Sequence, residues 1–229
     1  MIENTLLFCN PLSDSNADWL RKQAGIPVKI VPLIEFQNIP ISEWLLSISP
    51  EKKTWIFTSK RAAKAVLAVF DELPKPDQIF CVGPTTASYF KHLKIPIILP
   101  ETYHSVGLVK ALIAKKIKNA IHFRGNLSSH DLVNDLAKNG VEVNGVTVYN
   151  TVKVPQRVAT DNVAGMVFMS PSAIEAFVEQ NIVTPNIRAF CIGETTGSAA
   201  KKMGFEQVII PENYSLEALL TTIKNFVNE

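Results

Sequence analysis

CIGETTGSAAKKMG, residues Cys191 to Gly204, has an earlier copy in the same chain: CVGPTTASYFKHLK, Cys81 to Lys94. Each copy reads as the end of a short apolar strand, then a glycine, then Thr-Thr opening an amphipathic helix. Gly83 and Gly193 are expected to permit a tight strand-to-helix turn. Thr85, Thr86, Thr195 and Thr196 are of the N-cap type. A strand running into a helix N-terminus aims free backbone N–H groups and the positive end of a helix dipole at whatever lies above it, which suits an anion. The plain alternative, for either copy alone, is an ordinary helix cap. Two copies in register give the pair more weight than one.

The halves match elsewhere at nearly the same offset. IFTSKRAAKAV, from Ile56, aligns with VFMSPSAIEAF, from Val167, and PETYHS, from Pro100, with PENYS, from Pro211, one residue shorter. A repeat of roughly 110 residues is domain-sized, far longer than a solenoid unit. Strands are expected at 5–9, 28–31, 54–59, 78–82, 97–99, 120–123, 141–149, 166–169, 189–192 and 207–210. Helices are expected at 13–24, 60–70, from Thr85 to about Leu93, from a Ser105 cap to about Lys116, and at 128–138, 172–180 and 215–227, with another opened by the second Thr-Thr. Leu45 to Ile48 has room for one or two helical turns. Residues 32–40, with two prolines, and 151–162, with Pro155 among mixed polar residues, read as irregular or crossing segments. Short apolar strands alternating with helices predict an α/β fold of doubly wound parallel sheets, about five strands per half, flavodoxin-like. Two such domains facing each other would leave a cleft at the strand carboxyl ends, where ligands bind in open α/β sheets. The repeat alone divides the chain near residue 117.

Composition narrows the function. Of 229 residues, 47% are hydrophobic and 19% charged, which predicts globular domains rather than disorder. The net charge of +2, with no Lys/Arg run longer than two and no basic–aromatic interleaving, predicts no nucleic-acid partner. Three cysteines at strand ends fit neither a disulfide framework nor a zinc site and are read as free and buried in a reducing compartment. No apolar stretch is long enough to span a membrane, and TLLFC stands where a leader would. The expectation is a soluble, cytoplasmic protein with no membrane partner.

Polar residues at the expected strand carboxyl ends are Ser59, Lys60 and Arg61; Thr85 and Thr86; Tyr103; Arg124 to Asn126; Tyr149; Ser170 to Ser172; Thr195 and Thr196; and Tyr214. Hydroxyls, amides and cations dominate, and carboxylates are scarce. That is the wrong set for a glycosidase pair. The four histidines show no metal-ligand spacing, so no metal is expected. Gly-x-Ser-x-Gly, Walker and Gly-x-Gly-x-x-Gly motifs are absent, as are the clustered aspartates of a phosphorelay receiver. What is left is a donor-rich site for an anionic ligand, with one phenol available for chemistry. Bland readings stand beside these. Tyr149 could fill a hinge with its hydroxyl on backbone, Arg124 could pair with a carboxylate, and Ser59 and Ser170 are N-cap types. Arg61 at a helix start opposes the dipole, which favours a ligand role.

FTSKRAAKAV, VGPTTASYF, RGNLSSHDLVNDLAKNGVEVNGVTVYNT, FMSPSAIEAF, IGETTGSAAKKMGF and PENYSLEALL, taken in that order, resemble the uroporphyrinogen-III synthase family across essentially the whole chain. The resemblance implies two flavodoxin-like domains joined by a two-stranded linker: residues 1–35 with 152–229, and 38–149, with linkers at about 32–40 and 149–162. It implies a lyase that cyclises hydroxymethylbilane, a linear tetrapyrrole with eight carboxylates, to uroporphyrinogen III with loss of water and inversion of the last pyrrole. It implies no cofactor and a monomer that meets the preceding pathway enzyme transiently. Tyr149 matches the phenol that would assist the leaving hydroxyl. Ser59, Arg61, Thr86, Ser170 and Thr196 match family positions that contact or border the cleft, and Lys60, Thr85, Arg124, Gly125, Ser172, Gly193 and Thr195 complete the expected substrate-binding set.

Two departures remove cations. Asn10-Pro11 stands where Arg-Pro is common in the family, and His130 follows Arg124-Gly125 where many members carry a second arginine. A non-catalytic two-domain binder of a small anion is the alternative reading.

Overall fold

The computed structural model describes residues 5–227. In chain order the regular elements begin β1 (Thr5–Phe8), α1 (Asp14–Gln23), β2 (Val28–Ile30), β3 (Ile34–Asn38) and α2 (Ile41–Trp44). Next come β4 (Thr54–Phe57), α3 (Lys60–Leu67), β5 (Gln78–Cys81), α4 (Pro84–Ala87), β6 (Ile97–Ile98) and α5 (Ser105–Ala114). They continue with β7 (Asn119–Gly125), α6 (Asp131–Lys138), β8 (Glu142–Lys153), β9 (Val163–Phe168) and α7 (Pro171–Val178). The last are β10 (Arg188–Cys191), α8 (Glu194–Lys202), β11 (Gln207–Ile209) and α9 (Leu216–Val227). Chain contacts divide these into two compact units, Met1–Glu35 with Val152–Glu229, and Phe36–Thr151.

The first unit holds a sheet in the order β11-β10-β9-β1-β2, every pair parallel. Numbered within the unit, that is the flavodoxin order. The second holds β3-β8-β7-β4-β5-β6, in which β8 to β6 are parallel. Its five parallel strands occupy the same spatial order, but the chain enters at β4 instead of at β7.

Both faces of each sheet are covered, so the central strands are buried along their length, as in the TWIF run of β4. Alternation assigns the faces. In the second unit Trp55, Phe57, Ile79, Cys81, Ile121 and Phe123 pack with Ala62 and Val66 of α3. Ile56, Phe80 and Ala120 face Leu108 and Leu112 of α5 and Leu132 and Leu136 of α6. In the first unit Leu6, Phe8, Val167 and Phe190 meet Leu20 of α1 and Leu219, Leu220 and Ile223 of α9. Phe168, Phe177 and Phe205 form an aromatic group there, with centroids 5.5 to 6.2 Å apart.

Several expectations need correction. Residues 32–40 are not irregular: the prolines lie at the ends of the segment and leave Ile34–Asn38 free to pair as β3. Nor does the strand end at Tyr149, because β8 takes a new partner before its old one runs out. Ile39 N donates to Val148 O at 3.0 Å and Val154 N to Leu33 O at 2.8 Å, an antiparallel pairing with β3. The chain passes between units within these two strands. The first Gly-Thr-Thr copy opens only the four-residue α4 and a 3-10 turn to Phe90, not a helix to Leu93. Helix α5 is capped by His104, whose Nδ1 accepts from Gly107 N at 3.3 Å, and not by Ser105. Helix α6 starts at Asp131 rather than Ser128. Gly25 and Gly140, at φ 74° and 73°, follow α1 and α6 as helix stops.

No helix among the described residues is long and apolar enough to cross a membrane. Cys9, Cys81 and Cys191 are buried free thiols, and burial pushes Cys81 and Cys191 up to about 12.

Candidate functional site

In the second unit, Tyr149 is held from several sides. β7 ends in a register shift between Arg124 and Gly125, which sets Gly125 opposite Tyr149. A Cβ at Gly125 would lie 2.5 Å from Tyr149 Cζ and 2.7 Å from its hydroxyl oxygen, so only glycine lets the ring lie there. Ser59 Oγ is 3.2 Å from Tyr149 OH. The same Ser59 Oγ accepts from Arg61 N at 3.1 Å, so it caps α3 and holds the phenol at once. The Phe36 and Tyr149 rings are T-shaped to each other, with centroids 6.3 Å apart. Arg61 Cζ sits 3.1 Å from the centre of Phe36. Burial pulls the Arg61 guanidinium below its usual range, and the neighbouring phenols of Tyr149 and Tyr89 oppose that pull. Ser59, Arg61, Gly125 and Tyr149 are thus brought together; Lys60 is exposed on α3.

Arg124 pairs with a histidine instead of a carboxylate. Its Nη1 donates to His130 Nδ1 at 3.3 Å, and Gly145 leaves room for its Nε, which a Cβ there would meet at 3.2 Å. On the same face of β7, His122 is 1% exposed and its Nε2 lies 3.0 Å from Thr58 Oγ1. Burial, and then the charge of Arg124, push this imidazole down to about 4. Among the described residues, His122 Nδ1 and Arg124 Nε are sealed from solvent without a hydrogen-bond partner.

In both copies of the Gly-Thr-Thr turn the expected caps are wrong. The N-cap positions are Gly83 and Gly193, without side-chain caps, and Thr86 and Thr196 lie buried inside the first helical turn. Thr85 and Thr195 are exposed. The glycines do not serve by conformational freedom either, since their φ values of −168° and −175° suit any residue. What they border is an aromatic ring, at ordinary contact distance for Gly83 and more tightly for Gly193. A Cβ would lie 3.5 Å from Tyr103 at Gly83 and 3.3 Å from Tyr214 at Gly193. The paired tyrosines of PETYHS and PENYS therefore rest one on each turn, with 60% and 65% of their surface exposed. Over the second turn an open pocket of about 340 Å³ is lined by Ile192, Gly193, Glu194, Thr195, Thr196 and Tyr214.

Also in the first unit, Asn10 is 4% exposed and ties β1 to the end of β9. Its Oδ1 accepts from Met169 N at 2.7 Å and its Nδ2 donates to Ser170 Oγ at 3.1 Å. Ser170 Oγ is 3.0 Å from Ser172 Oγ. Ser170 occupies the N-cap position of α7, but its hydroxyl makes no cap bond.

Sequence reading misses Phe36, Thr58, Tyr89, His122 and Gly145. The FTS run, aligned with FMS, could draw attention to Thr58; no pattern marks Phe36. No group of His, Cys, Asp or Glu among the described residues is placed to hold a metal ion.

A family model described as uroporphyrinogen-III synthase HemD matches residues 17–221. The porphyrin biosynthesis protein HemD of Ruminiclostridium josui is 25% identical over 211 residues, which is 83% of this chain and 42% of that protein. The chloroplastic uroporphyrinogen-III synthase of Oryza sativa subsp. japonica is 33% identical over 103 residues, 42% of this chain and 34% of that one. The chain thus spans less than half the length of these curated relatives. Among solved structures, uroporphyrinogen-III synthetase from Helicobacter pylori 26695 superposes with a TM-score of 0.69 at 18% identity, over 95% of this chain and 97% of that one. A mutant uroporphyrinogen III synthase from Thermus thermophilus gives 0.66 at 14% identity, over 98% of both chains. At such identities the superpositions speak for the fold.

Proposed function

The chain belongs to the uroporphyrinogen-III synthase family, and we propose that it catalyses the ring closure named by that family, from hydroxymethylbilane to uroporphyrinogen III and water. The observation that carries the proposal is the held phenol: Tyr149 OH lies 3.2 Å from Ser59 Oγ, above a Gly125 that admits no side chain. In the proposed reaction this phenol gives a proton to the departing hydroxyl, which leaves as water while the adjacent pyrrole nitrogen supplies the electron pair. Closure at the substituted position and migration of one bond then invert the last ring. No electrons are gained or lost overall, so the step calls for no redox cofactor.

A substrate with eight carboxylates needs donors that fix its shape, since a held chain closes faster and in one direction. We assign that work in the second unit to Lys60, Thr85, Thr86 and Arg124, with Ser59, Arg61 and Gly125 around the phenol. In the first unit Ser170, Ser172, Gly193, Thr195 and Thr196 are the candidates, aided by the dipole of α8. On the same reading the chain acts as a cytoplasmic monomer and takes its linear substrate from the enzyme that makes it.

Complementation tests the proposal. A strain unable to make the rotated isomer should regain tetrapyrrole synthesis when supplied with this chain. Expression of folded protein without any recovery would count against the assignment.

A further inference from the structure

We propose that Phe36, on the edge strand β3, is a positioning residue for Tyr149 that acts through Arg61. The inference rests on the catalytic reading of the phenol and deepens it. Two contacts place Phe36 at the centre of the arrangement: its face carries the Arg61 guanidinium, Cζ 3.1 Å from the ring centre, and its ring lies T-shaped to that of Tyr149, with centroids 6.3 Å apart. A third link closes the set, because Arg61 N donates to the Ser59 Oγ that also holds Tyr149 OH. Phe36, Arg61, Ser59 and Tyr149 therefore form one connected group around the phenol.

The type of contact argues for more than packing. An aliphatic side chain would fill the space under Tyr149 as well, but only an aromatic face attracts a guanidinium electrostatically. That attraction holds a half-buried cation in the neighbourhood of the Tyr149 and Tyr89 phenols. A fixed positive charge beside a phenol oxygen stabilises the negative charge that grows there as its proton leaves, and it needs no rearrangement at the moment of reaction. Arg61 on this account serves Tyr149 and not a substrate carboxylate. The two roles separate kinetically: loss of a carboxylate contact raises KM, whereas loss of a group acting on the reacting proton lowers kcat.

The experiment compares Phe36→Leu, Phe36→Tyr, Arg61→Gln and Tyr149→Phe with hydroxymethylbilane as substrate, and follows the Arg61 side-chain protons by NMR. The expected result is a roughly tenfold lower kcat in Phe36→Leu, with KM within about twofold and activity regained in Phe36→Tyr. The upfield ring-current shift of the Arg61 protons should be present in the parent and lost in Phe36→Leu. Should Phe36→Leu fail to fold, Arg61→Gln carries the same test: a fall in kcat supports the proposal, and a rise in KM alone overturns it. Unchanged kcat in Phe36→Leu, or no recovery in Phe36→Tyr, also overturns it. Tyr149→Phe separates the two levels. If it is slow while Phe36→Leu is not, the phenol keeps its role and Phe36 loses its own. If Tyr149→Phe turns over normally, the catalytic reading falls and this inference with it.

Discussion

His122 shows how one side chain can set a property of the whole fold. It lies within β7, 1% exposed, with Thr58 on one ring nitrogen and, among the described residues, no partner on the other. Taking on a proton there would bury a cation beside Arg124, which is why the imidazole stays neutral down to about 4. The unfolded chain takes up that proton near 6.5, so the folded state binds fewer protons between the two values. The contribution is complete above pH 6.5 and drains away as pH falls to 4, a loss on the order of 3 kcal/mol for this group. Urea unfolding at pH 7 and pH 4 should show it, and His122→Gln, which keeps a partner for Thr58 but cannot titrate, should flatten the difference. An unchanged pH dependence in His122→Gln would refute the assignment. At this scale the sequence is a partial guide. Ser59, Arg61, Gly125 and Tyr149 stand out by their places at strand ends, and the structure gathers them. Phe36 stays hidden because a lone aromatic between prolines carries no period. Asn10 stands out as a lost cation; its burial and its two bonds to the end of β9 make it a tie between strands.

At the scale of elements, the two Gly-Thr-Thr copies share a motif and a burial pattern but not a helix. Helix α8 runs on because Ala199, Ala200, Lys201 and Lys202 are strong helix formers. In the first copy Tyr89, Phe90 and His92 stand at the corresponding positions, and the α-helical turn ends at Ala87. The threonines look like caps because residue type alone cannot distinguish the cap from the two positions after it. Cap identity depends on where the strand releases the chain, and that is not legible in sequence. The parallel pairing of β7 with β8 makes a sharper claim, because its register shift seats Tyr149 over Gly125. Gly125→Ala puts a methyl group where Tyr149 Cζ and OH already are. The variant should lose about 1–3 kcal/mol in denaturant unfolding. Its turnover should fall roughly 100-fold, the scale expected from moving a reacting group by about an ångström. Full turnover in a folded Gly125→Ala protein would show that the phenol need not sit where it does.

At the scale of the whole molecule, the repeat and the units tell one story in two divisions. Each half of the sequence contains the elements of a complete doubly wound sheet, yet neither half keeps them all in one sheet. β1, α1 and β2 join β9 to β11, while β7, α6 and β8 join β4 to β6. The halves have exchanged their leading strand–helix–strand, and β3 with the far end of β8 carries the chain across. A repeat analysis divides such a chain near residue 117, where the sequence begins again. Only the family resemblance implies the discontinuous division, because similarity along a chain does not record which copy a segment packs against. The central claim about the molecule is chemical. Hydroxymethylbilane closes by itself to the unrotated isomer I, so the isomer ratio formed from fresh substrate, with and without this protein, tests the claim directly. Isomer III should dominate when the protein is present, and isomer I alone, formed at the spontaneous rate, would contradict the assigned activity.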